Sequence, residues 1–186
     1  MRVAAALILA LLVACADEPA APSGPPPAPP RPASGDTVDV QGVRAARAQW
    51  TGDVKGSVTL RQFEGGVRVM ARASGLRPDR RYGLTVLAAR SCEGADPAVH
   101  LGDGRTRHGP YDAGPRQRHA GDLGNLDADD RGAARYDRID TVLPLAGYLS
   151  AVGRAVVLRE RQDDGHTPPD GGAGSVLACG VLEPAR

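Results

Sequence analysis

His119-Ala120-Gly121-Asp122-Leu123-Gly124-Asn125 closes a long segment, running from Cys92 to Leu126, that is rich in Gly, Asp, Arg and His and carries no strand pattern. A structureless loop of that length is unusual unless something else organises it. Three of the chain's four histidines fall inside it, spaced His100-x7-His108-x10-His119-x2-Asp122. Three imidazoles and a carboxylate make a four-coordinate nitrogen/oxygen set suited to zinc. Protein would fill all four positions, so such a site would be structural, because catalytic zinc keeps one position open for water. Spacing alone fits three solvated loop histidines equally well.

Around this segment the texture is that of strands. Val54 to Leu60 and Val67 to Ala71 alternate apolar and polar residues, and Tyr82 to Ala89 and Arg154 to Arg161 read as two more strands. Period-two alternation in short runs between Gly-rich breaks predicts antiparallel strands with one wet face. No stretch has the pattern of a long amphipathic helix. Aromatic residues make up 3% of the chain, with 24 Gly and 16 Pro, which leans the same way, towards all-β structure with long loops. The net charge of +1 gives no general case for nucleic acid or an acidic partner.

The chain's first residues read as a leader. Arg2 supplies a positive start, Ala4 to Ala14 is an apolar run too short to span a bilayer, and the run ends in Leu12-Val13-Ala14-Cys15,. That ending resembles the lipobox of bacterial lipoproteins, which implies lipid on Cys15 and attachment to a membrane of the cell envelope, on the periplasmic side or at the cell surface. The competing reading is an ordinary secretory signal with an incidental Cys. Residues 16–36 form a Pro-rich tether, about 3.1 Å per residue and roughly 60 Å if extended. Residues 37–186 are then the folded domain. With Cys15 assigned to lipid, Cys92 and Cys179 remain and can pair, since disulfides persist in exported proteins.

The order of His119 to Asn125, Gly153-Arg154-Ala155-Val156-Val157, Asp163-Asp164 and Gly174-Ser175-Val176-Leu177-Ala178-Cys179-Gly180-Val181 resembles the copper/zinc superoxide dismutase family. The resemblance runs from about Val54 to Leu182. It implies an eight-stranded Greek-key β-barrel with long metal-binding loops. His100 falls at the family's bridging histidine, and His108, His119 and Asp122 fall at the three zinc-only ligands. Asp163 matches an aspartate that hydrogen-bonds one zinc histidine, and Cys92 with Cys179 matches the intrasubunit disulfide.

The copper half departs from the family pattern. Taking Gly83 and Cys92 as anchors, two copper histidines would stand at Thr85 and Leu87, and the third at Arg159. The arginine that receives the superoxide anion is replaced by Val176. Copper needs imidazole or thiolate donors, so the resemblance implies zinc without copper. His166, in a Gly/Pro-rich loop, is expected in solvent. Arg159 has two readings. Its guanidinium either occupies the vacated pocket, where it balances Asp163 or another carboxylate or binds a small anion, or it points to solvent on the outer face.

Three functions compete: a non-enzymatic, zinc-stabilised barrel acting as a structural or binding module at the envelope; an active dismutase with a remodelled copper site; and a zinc-handling protein. A homodimer is one arrangement the family uses, and the sequence names no protein partner. Gly102-x-Gly104 lacks a following helix, so it is not a nucleotide-binding turn. Ser150 and Ser175 lack a placed base, and the runs Arg77 to Arg81 and Arg116 to Arg118 read as solvated loops.

Overall fold

Alternation produces strands here because one face of each run can be buried. In β2 (Lys55–Phe63) Val58 and Leu60 turn inward, and in β3 (Gly66–Ser74) Val67, Val69 and Ala71 do so. These join β1 (Ala45–Gly52), β4 (Arg81–Val86), β5 (Asp122–Asp127), β6 (Ala134–Asp140), β7 (Ala155–Arg159), β8 (Val176–Val181) and the two-residue β9 (Glu183–Pro184). The computed structural model describes residues 42–185. The leader, Cys15 and the tether 16–36 lie outside the described residues.

Neighbouring strands pair antiparallel in the order β5-β4-β7-β8-β1-β2-β3-β6, with β9 added beside β1. An isolated bridge between Ala128 and Ala134 joins the two ends of that order. The result is a nearly closed eight-stranded barrel with no helix among the described residues, matching the fold the sequence implies. The core holds Val58, Leu60, Val69, Leu84, Val86, Leu123, Leu126, Leu158 and Leu182. A smaller apolar cluster, Leu87, Ala155, Val157 and Cys179, lies separately from it.

The sequence reading marks β2, β3, β4 and β7 and leaves β1, β5, β6, β8 and β9 unread, β5 the most deeply hidden of them. The segment ending at Leu126 carries no alternation, yet its last residues are β5. Gly124 takes φ 75°, a left-handed conformation that favours glycine, and the β4–β5 register shifts between Gly83 and Thr85. The break lets Leu123 and Leu126, three residues apart, both be fully buried, so the side chains fit no simple period of two.

Cys92 and Cys179 form a disulfide across a sequence separation of 87. It fastens the stretch after β4 to β8. In the chain-entropy picture a loop of that size stabilises by about 4–5 kcal/mol. A Cys92→Ala/Cys179→Ala variant is expected to lose about that much in denaturant unfolding, with the native strand content retained in far-ultraviolet dichroism.

Candidate metal centre

The loop's histidines are placed by backbone pairing to the end of β4. Leu87 bridges His100, the Ala88 N–H donates to the Val99 carbonyl at 3.0 Å, and the Leu101 N–H donates to Val86 at 2.8 Å. The Gly121 N–H donates to Leu101 at 2.8 Å, while its carbonyl accepts from Val86 N–H at 2.9 Å. His100 and Asp122, 22 residues apart, thereby stand beside the same strand end.

Four side chains converge there. The Nδ1 atoms of His100, His108 and His119 lie 2.6, 3.2 and 3.4 Å from Asp122 Oδ1. One ligand atom from each of the four lies within 4.8 Å of the others. A tetrahedron with bonds of about 2.0 Å has edges of about 3.3 Å, close to two of the three distances. The set also carries unmet demand. Among the described residues, His100 Nε2, His108 Nδ1 and His119 Nδ1 are buried without a hydrogen-bond partner, a costly state for polar atoms. A cation at the centre would satisfy the two Nδ1 atoms. These residues therefore fit a tetrahedral divalent metal with a preference for nitrogen and oxygen.

The far side of three of the four ligands is fixed. His108 Nε2 lies 2.8 Å from Asp163 Oδ1, and His119 Nε2 lies 3.1 Å from the Thr106 carbonyl. Donation from both Nε2 atoms leaves the Nδ1 lone pairs for a metal. Asp122 Oδ2 accepts from the backbone N–H groups of Gly109, at 3.1 Å, and His119, at 2.8 Å, so Oδ1 is the oxygen left to face the three imidazoles. Asp163 is itself held by Asn125, whose side chain donates to the Asp163 carbonyl and accepts from its N–H, both at 2.8 Å.

Arg118 corrects the sequence reading of a solvated run. It is fully buried, donates to Asp140 Oδ2 at 2.8 Å, and reaches the carbonyls of Asp122, His119 and Ala113. It therefore clamps the turn between two ligands. The surrounding charges mask it, because its partner Asp140 is 22 residues away and sits in β6, whereas Arg118 lies in the loop before β5. Asp140 is likewise a site residue the sequence did not reveal, whereas Asn125 stood within the quoted motif.

The cluster holds its charges tightly. Burial would raise the Asp122 carboxyl, but its bonds to His100, His108 and His119 win and hold it well below the usual carboxylate range. Burial likewise works against charged His108, but Asp122 and Asp163 overcome it and push the imidazole up to about 10.

The positions that the sequence resemblance assigns to copper are Thr85 and Leu87, at the end of β4, and Arg159, at the end of β7. Thr85 and Leu87 are buried, and Leu87 packs with Ala155, Val157 and Cys179. Neither side chain offers an imidazole or thiolate. Arg159 is 1% exposed, so the solvent-facing reading is wrong. Its Nε donates to the Gly174 carbonyl at 2.9 Å, its Nη1 to Pro97 at 2.9 Å, and its Nη2 to Gly174 and Asp170 Oδ2, both at 2.5 Å. The carboxylate it balances is Asp170, and Asp163 serves His108 instead. Val176 is 38% exposed, and His166 is exposed in its loop.

Comparison with known proteins agrees with this geometry. Residues 54–182 match the family model for copper/zinc superoxide dismutase (SODC). The chain is 33% identical over 150 residues to a superoxide dismutase (Cu-Zn) of Paramecium bursaria Chlorella virus 1, covering 76% of this chain and 79% of that protein. It is 37% identical over 142 residues to superoxide dismutase (Cu-Zn) 2 of Mesembryanthemum crystallinum, covering 70% and 87%. The solved structure described as a crystal structure analysis of the clock protein EA4 superposes with a TM-score of 0.70 at 32% identity, covering 76% of this chain and 95% of that one.

Two outcomes follow from the centre's geometry. A Cβ at Gly171, where φ is 67°, would lie 2.0 Å from Asp163 Oδ1 and 2.8 Å from His108 Nε2. Gly171→Ala is therefore expected to lower metal affinity about 10- to 100-fold by displacing an outer partner, read by competition with a chromophoric chelator. His108 at about 10 is protonated at pH 7 in the metal-free protein, whereas a metal requires it neutral. Metal binding at pH 7 should therefore release a proton and tighten as pH rises towards 10, seen by calorimetry in buffers of different ionisation enthalpy. The sign is opposite for the metal-free fold. Stability from raised His108 is present below its ordinary 6.5 and is lost as pH rises through about 10.

Proposed function

The chain belongs to the copper/zinc superoxide dismutase family, and from that premise we propose that it is an exported, zinc-stabilised member whose barrel serves as a structural or binding module and does not disproportionate superoxide. His100, His108, His119 and Asp122 hold the zinc. Zinc is d¹⁰ and supplies no redox step. It would join the two ends of a loop that has no core of its own.

The observation that carries this reading is Arg159. Its residue takes the third copper position, and the guanidinium stays charged at any working pH. It is buried and bound to Gly174, Pro97 and Asp170, and a fixed positive charge at the position that the resemblance assigns to copper supports the reading. Thr85 and Leu87 remove the other two imidazoles, and Val176 removes the cation that would attract the superoxide anion. Of the family's copper donors His100 remains, and one imidazole is a poor copper site.

Arg159 has a second effect that suits a structural role. It ties together β7, the segment at Pro97 and the segment from Asp170 to Gly174. It thus fastens the loops that cover the site without any metal. The leader ending in Cys15 supports export and a lipid anchor, placing the domain at the bacterial cell envelope. A pocket of about 410 Å³ beside His100, His108 and His119 gives solvent a route to the ring edges and is the feature that favours a zinc-handling role instead.

The test is metal loading with activity on one preparation. Residues 16–186, the exported chain without lipid, are loaded with zinc and with copper separately, and bound metal and superoxide consumption are measured. One zinc per chain, no tightly held copper and no consumption above free metal are expected. Consumption at rates typical of the family would overturn the reading. Loss of zinc to a weak chelator within seconds would favour zinc handling.

A further inference from the structure

The sheet formed by β1, β2, β3 and β6 has an outer face unlike the rest of the surface. Val58, Leu60, Val67, Val69 and Ala71 turn inward, so the alternate positions turn out. In register they give three rows: Gln49, Ser57, Arg72 and Arg135; Arg47, Thr59, Met70 and Asp137; and Arg61, Arg68 and Ile139. Lys55 shares this outward phase of β2. The six cations Arg47, Lys55, Arg61, Arg68, Arg72 and Arg135 are exposed. Asp137 and Glu183, the latter in register with Arg47 on β9, are the acids in those rows. Elsewhere in the described residues carboxylates outnumber Lys and Arg.

Fold stability does not account for this pattern. Arg61 stands directly across from Arg68, and Arg72 directly across from Arg135. Like charges at such positions destabilise a sheet. Arg68 is relieved by Asp137 at 2.6 Å. Among the described residues, Arg47, Arg61, Arg72 and Arg135 have no carboxylate within ion-pair distance. Arg47, Arg72 and Arg135 border a hollow of about 370 Å³. At one end of the face two large apolar side chains are left in water, Phe63 at 51% and Ile139 at 46% exposure.

We propose that this face docks on an anionic phospholipid surface. The arginines match lipid headgroups in charge, and Phe63 and Ile139 can enter the boundary between headgroups and acyl chains. A soluble polyanion such as nucleic acid would use the arginines and leave those two side chains without a place. The choice of a membrane rests on the envelope anchoring proposed above, which joins the domain to its lipid through residues 16–36. Lipid anchors hold stably when a second signal such as a basic patch is added, and this face supplies one.

The test uses zinc-loaded residues 16–186, which contain every described strand and the whole core but carry no lipid. Binding is measured by co-sedimentation with vesicles of phosphatidylcholine alone and of phosphatidylcholine with phosphatidylglycerol. Binding to the anionic vesicles, weakening with salt, and none to the neutral ones is expected. Each arginine near the surface contributes about fivefold, so Arg72→Gln/Arg135→Gln should bind about 25-fold more weakly. Arg105→Gln/Arg116→Gln, which removes the same charge from the metal-binding loop, should bind as the parent does. Because Arg72 and Arg135 oppose each other, the first pair should also unfold at an equal or higher temperature, which separates lost docking from lost folding. Equal binding to neutral vesicles, or no effect of Arg72→Gln/Arg135→Gln, overturns the proposal. So does retention on a DNA duplex with none on anionic vesicles. Mass analysis of the chain extracted from envelopes reports lipid on Cys15 independently of the vesicle result.

Discussion

The rest of the site depends on how the two oxygens of Asp122 are divided. Oδ2 accepts the N–H groups of Gly109 and His119, so the carboxylate is bolted to the backbone on both sides of the loop. Oδ1 is left facing three Nδ1 atoms. A carboxylate free to rotate could not hold that division. Without it, His100, His108 and His119 would have no common point to face. The backbone contacts therefore come first, and the ligand set follows from them.

Three further fasteners act on the loops, two of them buried charge pairs and one a covalent link. Arg118 and Asp140 form a buried charge pair that captures carbonyls near the ligand turn. Cys92 and Cys179 form a covalent link from the same loop system to β8. Arg159 and Asp170 hold the covering segment against β7. A buried ion pair is weak support for stability by itself, since desolvation offsets much of the attraction. Its effect here is geometric. The donors of Arg118 and Arg159 are largely filled only when particular carbonyls are in place, and that condition selects one loop arrangement.

The sequence carried those parts of the structure that obey a period or belong to a motif. Strands β2 and β3 show as alternation because one face is wet. The ligands show as three of four histidines gathered in one loop with an aspartate. The parts that did not show are those set by long-range geometry. Strand β5 was concealed by the left-handed turn at Gly124, which breaks the period. Arg118 reads as solvated because its local neighbours are charged, and its actual partner, Asp140, lies in a distant strand, β6. Arg159 could be placed by family register, yet its partner Asp170 could not, since no local pattern links a strand end to a loop carboxylate 11 residues on.

On the zinc-only reading proposed above, Arg159 also bears on how the copper half of the family's site could change while the zinc half kept its form. A metal ion on that side would contribute positive charge and draw ligands from several segments. A guanidinium supplies a positive charge and five directed N–H donors, and here four contacts reach Pro97, Gly174 and Asp170. On that reading it stands in for both the charge and the cross-linking of a metal, without redox capacity. Thr85 and Leu87 need contribute nothing polar once this is done, and Leu87 is free to join Ala155 and Val157 in an apolar cluster beside the bridging position of His100. The neighbouring ligand set stays ordered because its own supports, Asp163, Asn125, Thr106 and Arg118, do not run through the altered positions.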